Sequence, residues 1–173
     1  MYHRLATVVA LSCLASLPVR GQSLKDVEAK EAELVAAWEK TPLTVRRAVF
    51  VTEKPSLYGA YTERTSNDFK RGETLLTYIE PIGYSWKPSG KDGFAIGITL
   101  DFVVKSKAGS VLGGQEKFLT FAQASQHKLR ELMVNVSLGL GNAPAGDYIV
   151  VYTLRDTASG KSAAFEQPFR LVE

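Results

Sequence analysis

Few side chains in this sequence have the chemistry of a catalytic nucleophile or base. Its 173 residues include two histidines, His3 and His127, and one cysteine, Cys13. A Ser-His-Asp triad needs a nucleophile, a base and a group that orients the base, and no serine stands in the Gly-x-Ser-x-Gly context of a nucleophile elbow. His127 lies in a polar connector between two predicted strands. We therefore expect no histidine-based catalytic site.

The sequence also lacks the residue types and spacings that metal and cofactor binding would need. A zinc site needs several nitrogen or sulfur ligands, and a calcium loop needs closely spaced acids such as Asp-x-Asp-x-Asp. Neither pattern occurs, and the glycine-rich residues 109–114 lack the Lys and Ser/Thr of a phosphate-binding loop. The sequence predicts no metal site and no cofactor.

Paired carboxylates are the remaining route to catalysis, because a glycosidase needs only two acids at a suitable separation. Five acids fall at or near the ends of predicted strands: Glu73, Glu80, Asp101, Asp147 and Asp156. Asp101 interrupts an apolar run, and strand alternation predicts a solvated residue on the outer face of a sheet. A carboxylate-based hydrolase is the function with the least support, and we expect a protein that is not an enzyme.

Aromatic side chains are the stronger candidates for a binding site. Tyr58, Tyr61, Tyr84 and Trp86 fall near the ends of predicted loops or strands, and Trp38 lies on the apolar face of a predicted helix. Such rings can stack on sugars or anchor a protein partner at low entropic cost. The alternative is that Tyr84 and Trp86, which are two residues apart, lie on the same side of a strand and face the core.

The first 21 residues have the features of a signal peptide. A short positive region at Arg4 precedes an apolar run over residues 5–17, and Val19-Arg20-Gly21 suggests cleavage before Gln22. The run is too short to span a bilayer comfortably. We expect residues 1–21 to be removed together with Cys13. The protein would then be periplasmic or secreted, with no membrane contact except through the uncleaved peptide.

The charge balance argues against a nucleic-acid partner. The chain has 21 basic and 18 acidic residues, and they are spread along the sequence without a basic tract. Nucleic-acid binding usually requires basic residues that are clustered on one face.

Residues 22–42 contain a predicted amphipathic helix. Leu24, Val27, Leu34, Val35 and Trp38 have helical spacing over residues 23–40. Ser23 and Asp26 have the spacing of a capping pair, in which each side chain accepts a hydrogen bond from an otherwise unpaired backbone N–H. We expect the apolar face to pack against the protein's own sheet, with packing against a partner as the alternative.

Residues 43–173 have the alternation and turn signals of an all-β domain. The predicted strands are 44–53, 73–79, 94–104, 116–121, 129–138, 146–155 and 162–172. The final strands resemble those that close immunoglobulin-like folds, with Tyr148 in the position of a tyrosine corner, whose hydroxyl bonds upstream backbone. This resemblance implies an immunoglobulin-like antiparallel β-sandwich of about seven strands with Greek-key connections.

A second resemblance involves the segment before the first long core strand. Gly59-Ala60-Tyr61, then Asn67-Asp68-Phe69-Lys70-Arg71-Gly72-Glu73, and then Tyr78-Ile79-Glu80-Pro81 resemble secreted sandwich domains of bacterial proteins, in which a Phe-x-x-Gly-Glu turn opens a core strand. The resemblance covers most of residues 22–173 and implies no activity.

Together these patterns predict a periplasmic or cell-surface binding module. Its partner would be an envelope protein or other envelope component, bound through a sheet edge, the helix or the aromatic loop. The alternative is a carbohydrate-binding module that uses the loop aromatics.

Overall fold

The computed structural model describes Gly21 and residues 23–173. Residues 1–20 of the predicted signal peptide, with Cys13, and Gln22 after the predicted cleavage site lie outside the described residues. The described part contains one helix and nine strands. In chain order they are α1 (Leu24–Lys40), β1 (Thr44–Phe50), β2 (Asp68–Lys70), β3 (Thr74–Ile82), β4 (Lys87–Ser89), β5 (Gly93–Ser106), β6 (Val111–Ser125), β7 (Val134–Gly139), β8 (Gly146–Asp156) and β9 (Ser162–Val172).

The strands form two sheets. The smaller sheet has the order β1-β3-β7, and both of its pairings are antiparallel. The larger sheet has the order β2-β9-β8-β5, with β6 on the far side of β5 and β4 beside the start of β5. Its pairings are antiparallel except that β2 runs parallel to β9. The described part is thus all-β with one N-terminal helix, which confirms the predicted class.

Both sheets contribute to a single apolar core. Alternate residues of β5, including Ile96, Ile98 and Leu100, are buried in it, as the period of two in a strand requires. Leu75 and Ile79 of β3, in the smaller sheet, are buried in the same core. The two buried faces therefore pack against each other.

The Phe-x-x-Gly-Glu segment forms the predicted turn before β3. Gly72 has a φ of 80°, which an L side chain rarely adopts. The Lys70 amide donates to the Glu73 carboxylate at 2.9 Å, and Glu73 also pairs with Arg64 at 2.7 Å. The Arg64 guanidinium lies over the Phe69 ring, 4.2 Å from its centroid. These contacts connect the parallel strand β2 to the start of β3.

Two short-range predictions are confirmed in atomic detail. The Asp26 amide donates to the Ser23 hydroxyl and the Ser23 amide donates to the Asp26 carboxylate, which completes the capping box of α1. The Tyr148 ring is buried, and its hydroxyl donates to the Pro144 carbonyl oxygen at 2.7 Å, as expected of a tyrosine corner.

Other predictions need correction. The short strands β2 and β4 were not predicted, because three residues are too few to show an alternating pattern. The strand predicted at 116–121 is longer than expected, since pairing with β5 holds residues 111–125 extended as β6. The apolar face of α1 packs only near its C-terminal end. Trp38 is buried, whereas Leu24, Val27 and Leu34 are exposed.

Asp101 is not solvated as predicted. Only 8% of its surface is exposed, because the ladder between β5 and β6 is irregular at this point. Leu100 pairs with Leu119 and Phe102 pairs with Gln115, so that residues 116–118 bulge opposite Asp101. Its carboxylate accepts the Lys117 amide at 2.8 Å and the Arg155 Nε at 2.9 Å. The hydrogen bond from the Lys117 amide to Asp101 therefore stabilises the bulge of β6.

No helix in the described part is long and apolar enough to cross a membrane.

We predict that Asp101→Ala lowers the free energy of unfolding by about 1–3 kcal/mol, because it leaves the Lys117 amide of the bulge without its acceptor. Asp101→Asn is the matched control, since its amide oxygen can still accept from Lys117, and it should lose less stability. Urea unfolding followed by circular dichroism measures both values. Equal stability of the Ala variant and the unchanged protein would contradict this role of Asp101.

Candidate functional site

Three of the predicted binding aromatics form one cluster where α1 meets the β domain. The Trp38 ring contacts Tyr84 edge-to-face at 5.1 Å between centroids and stacks on Trp86 at 5.7 Å. The Trp38 Nε1 donates to the Tyr84 carbonyl oxygen at 2.8 Å. Both Trp86 Nε1 and the Tyr84 hydroxyl donate to the Leu129 carbonyl oxygen. Trp38 and Tyr84 are buried, so their faces are occupied by one another rather than free for a ligand.

Two lysines attach the end of α1 to this cluster. The Lys161 Nζ donates to the carbonyl oxygens of Thr41 at 2.9 Å and Gly83 at 3.0 Å. The Lys128 Nζ pairs with Glu39 at 2.7 Å and lies over the Trp86 ring. Position 83 requires glycine, since its φ is 77° and an added Cβ would overlap the Pro42 carbonyl oxygen. The cluster thus attaches the helix to the sheets and fits the core interpretation of Tyr84.

Tyr58 and Tyr61 belong to the loop that follows β1 and lie against Tyr78 and Glu80 of β3, in the smaller sheet. Tyr61 stacks on Tyr78 at 4.3 Å between centroids. The hydroxyls of Tyr58 and Tyr78 both donate to the Glu80 carboxylate, at 3.2 and 2.9 Å, and the Gly59 amide donates to the Tyr78 hydroxyl. Desolvation is the main cause that raises the pKa of Tyr58, and the Glu80 charge adds to it.

The positions of these rings reduce the number of aromatic side chains that could bind a carbohydrate. Trp38 and Tyr84 are buried, while Tyr58, Tyr61 and Trp86 are partly exposed. A planar platform for a sugar needs exposed ring faces that lie side by side. Glycan binding stays a prediction, and it depends on the three partly exposed rings.

Each of the five candidate carboxylates forms an ion pair or hydrogen bonds with its own neighbouring groups. Glu73 pairs with Arg64, Asp147 with Lys107 and Asp101 with Arg155. Glu80 accepts from two tyrosines, and Asp156 accepts the amides of Ser85 and Ala158. These contacts stabilise turns, the bulge and cross-strand pairs. In residues 23–173 no group of three or more metal-ligating side chains is close enough to hold an ion.

The free edge of β6 is a feature that the sequence analysis missed. This strand is 15 residues long and, within the described residues, pairs only with β5. Its first seven residues are all exposed. The strand has only two charged side chains, Glu116 and Lys117, and both lie at the bulge. Native edge strands are normally short or protected by charges or bulges. Residues 111–115 and 118–125, on either side of the bulge, carry no charge, and these parts of the edge are suited to pairing with another chain.

An apolar cleft of about 620 Å³ opens beside this edge. It separates β6 from β7, the edge strand of the smaller sheet, and its walls include Phe102, Val104, Leu138 and Leu112. Gly113 pairs with the buried Val104 across the ladder, and cross-strand partners share one face of a sheet. The absence of a side chain at Gly113 thus leaves space beside Val104 on the core-facing side of β6. The cleft has the size and apolar lining of a binding site.

The sequence carries only a weak signal for the length of β6. Its low charge is compatible with a long strand, but four of residues 111–125 are β-branched or aromatic: Val111, Phe118, Thr120 and Phe121. The two adjacent glycines resemble a turn signal, which places the start of the predicted strand after them, at residue 116.

Comparison with known proteins does not assign a family. No family model and no curated protein matches the sequence. Among solved structures the chain is similar to the sporulation control protein Spo0M from Bacillus subtilis, with a TM-score of 0.39 and 11% identity over 77% of this chain. The match spans half of the Spo0M chain.

Two superoxide reductases are also similar in structure. A putative one from Thermotoga maritima has a TM-score of 0.32 and 13% identity, over 79% of this chain and 91% of that chain. Neelaredoxin from Ignicoccus hospitalis has a TM-score of 0.31 and 10% identity, over 86% and 93%. Scores at this level carry no argument about fold or function.

We predict that alkaline pH destabilises the protein through its buried tyrosines. Burial is the main cause that raises the pKa of Tyr78 to about 12, and Glu80 adds to it, whereas a free tyrosine ionises near about 10. The unfolded state therefore releases its proton first, so the free energy of unfolding falls as the pH rises from about 10 to about 12. Urea unfolding at several pH values measures this slope.

Tyr78→Phe should make that slope shallower. Tyr61→Phe is the control, since the Tyr61 hydroxyl makes no hydrogen bond in the described part of the chain. A slope that is the same in Tyr78→Phe as in the unchanged protein would contradict the prediction.

We also predict that Lys161→Met loosens α1 without unfolding the sheets, because the carbonyl oxygens of Thr41 and Gly83 lose their shared donor. Limited proteolysis should then cleave the helix several-fold faster than in the unchanged protein. Lys30→Met, which removes an exposed ion pair on the free part of α1, is the control. Equal cleavage rates in the two variants would count against this role of Lys161.

Proposed function

We propose that this chain is a non-enzymatic module of the periplasm or cell surface that binds a protein partner as an added strand along β6. The observation that carries the proposal is the 15-residue edge, which pairs along one side only within the described residues and has charges only at its bulge. Binding of an extended segment to a free sheet edge is a common mode of peptide recognition, in which backbone hydrogen bonds supply affinity.

The exported location is part of the same proposal and rests on the sequence of residues 1–21. Its apolar run and small residues before Gln22 are typical of a signal peptide.

We propose the immunoglobulin-like Greek-key sandwich as the finer fold. The strand orders β1-β3-β7 and β2-β9-β8-β5-β6 support it, because the chain changes sheet on both sides of β3 and on both sides of β7, while β5-β6 and β8-β9 are antiparallel neighbours within the larger sheet. The bond from the Tyr148 hydroxyl to the Pro144 carbonyl oxygen supports it as well.

A photo-crosslinking experiment tests strand addition. Benzoylphenylalanine is placed at Ala122, an exposed residue of β6, and the protein is irradiated in an envelope extract. The control carries the same group at Thr153 in β8, which is paired on both sides. We expect discrete protein adducts from Ala122 and not from Thr153.

A charge variant shows whether the adducts depend on the edge. Gln123 faces the same side as the buried Ile96, its partner in the ladder. Gln123→Lys places a charge where an added strand would desolvate it, and adducts from Ala122 should fall several-fold. Adducts that persist in Gln123→Lys, or that form equally from Thr153, would contradict the proposal. Adducts between two copies of the chain would show that the edge pairs with itself.

A further inference from the structure

The cleft beside β6 lies where side chains of an added strand would point. Gly113 belongs to the core-facing side of β6, opposite Val104. A strand that pairs with β6 keeps the same pleat, so every second side chain of that strand faces the same side as Gly113. Those side chains would meet the apolar walls formed by Phe102, Leu138 and Leu112.

Two glycines keep the cleft open from opposite walls. Gly113 lines it from β6 and Gly139 lines it from the end of β7. A Cβ added at either position would have no heavy atom within 4 Å, and neither has a positive φ. A Cβ therefore fits at either position without steric conflict, and a side chain there would occupy part of the cleft. Gly114 differs, because a Cβ there would lie 2.6 Å from the Phe102 carbonyl oxygen.

The polar groups at the cleft already have partners. Asp147 pairs with Lys107 at 2.9 Å, and the Tyr148 hydroxyl donates to Pro144. The cleft therefore offers apolar contact and no free charge to an incoming side chain. Charged side chains would lose hydration there without gaining a partner, whereas Val, Ile or Leu would gain from burial.

We infer that the cleft takes the apolar side chains of the added strand, so that the partner segment is an extended peptide in which apolar and polar residues alternate. This inference rests on the proposed strand addition and deepens it by naming the side-chain pattern that is bound. Backbone pairing along β6 supplies affinity for any extended chain, and the cleft selects segments whose apolar residues fall on one face.

The test uses two fluorescein-labelled synthetic peptides and the purified protein. In one peptide Val alternates with Thr between terminal lysines, and in the other the same residues are grouped so that the alternation is lost. Fluorescence anisotropy measures their affinities. We expect the alternating peptide to bind ~tenfold or more tightly than the grouped one, because burial of even one Val side chain contributes on that scale.

Variants then locate the binding. Gly113→Val should weaken binding of the alternating peptide ~tenfold or more, since the added side chain would occupy part of the cleft and exclude at least one apolar side chain of the peptide. Thr120→Val is the matched control, because Thr120 pairs with Thr99 on the outer face of the same strand, and it should leave the affinity unchanged. If thermal unfolding shows that Gly113→Val does not fold, the affinity of Gly139→Val is measured instead, because this variant adds a side chain at the opposite wall of the cleft.

The outcomes separate this inference from the proposed function. Loss of affinity in Gln123→Lys together with full affinity in Gly113→Val and Gly139→Val would overturn the role of the cleft and leave strand addition standing. Equal affinity for the two peptides would likewise overturn it. Failure of the alternating peptide to bind, or indifference to Gln123→Lys, would count against both. Dimerisation that is abolished by Gly113→Val would show that a second copy occupies the cleft, and would also overturn the inference.

Discussion

The pairing of β5 with its neighbours is the constraint on which the rest of the structure depends. This strand pairs with β4, β6 and β8, and its alternate residues form the centre of the core. Because a shift of one residue would exchange its two faces, the register must be held. Asp101 contributes by fixing the bulge of β6 through the Lys117 amide and by pairing with Arg155 on β8. The edge of β6 and the cleft beside it both follow from this arrangement.

The attachment of α1 shows why a helical pattern does not reveal what the helix contacts. Its capping box forms between Ser23 and Asp26, which are close in sequence. Its position on the sheets depends instead on Trp38, Lys128 and Lys161, which contact groups far away along the chain. Three other apolar side chains of the helix, Leu24, Val27 and Leu34, stay exposed. Amphipathic spacing therefore indicates that a helix forms, but not how much of its apolar face is covered.

Local patterns allowed much of the fold and little of the candidate site to be predicted. The all-β class, the helix, the turn at Gly72 and the tyrosine corner at Tyr148 depend on residues that are near in sequence, and they are confirmed. The burial of Tyr84 remained one of two alternatives, because spacing by two places rings on one face without indicating which face is inside. Asp101 was misjudged because a bulge changes the environment of the residue opposite to it.

The amino-acid pattern alone places the helix, most of the long strands and several turns, and it shows that residues with catalytic chemistry are few. Periodicity and turn residues act over a few neighbours, so these features are local. That β6 has a free edge among the described residues, and that Gly113 and Gly139 line a common cleft, follows from the packing of the two sheets. Both features depend on which strands become neighbours, and that is settled by packing among residues that are distant along the chain.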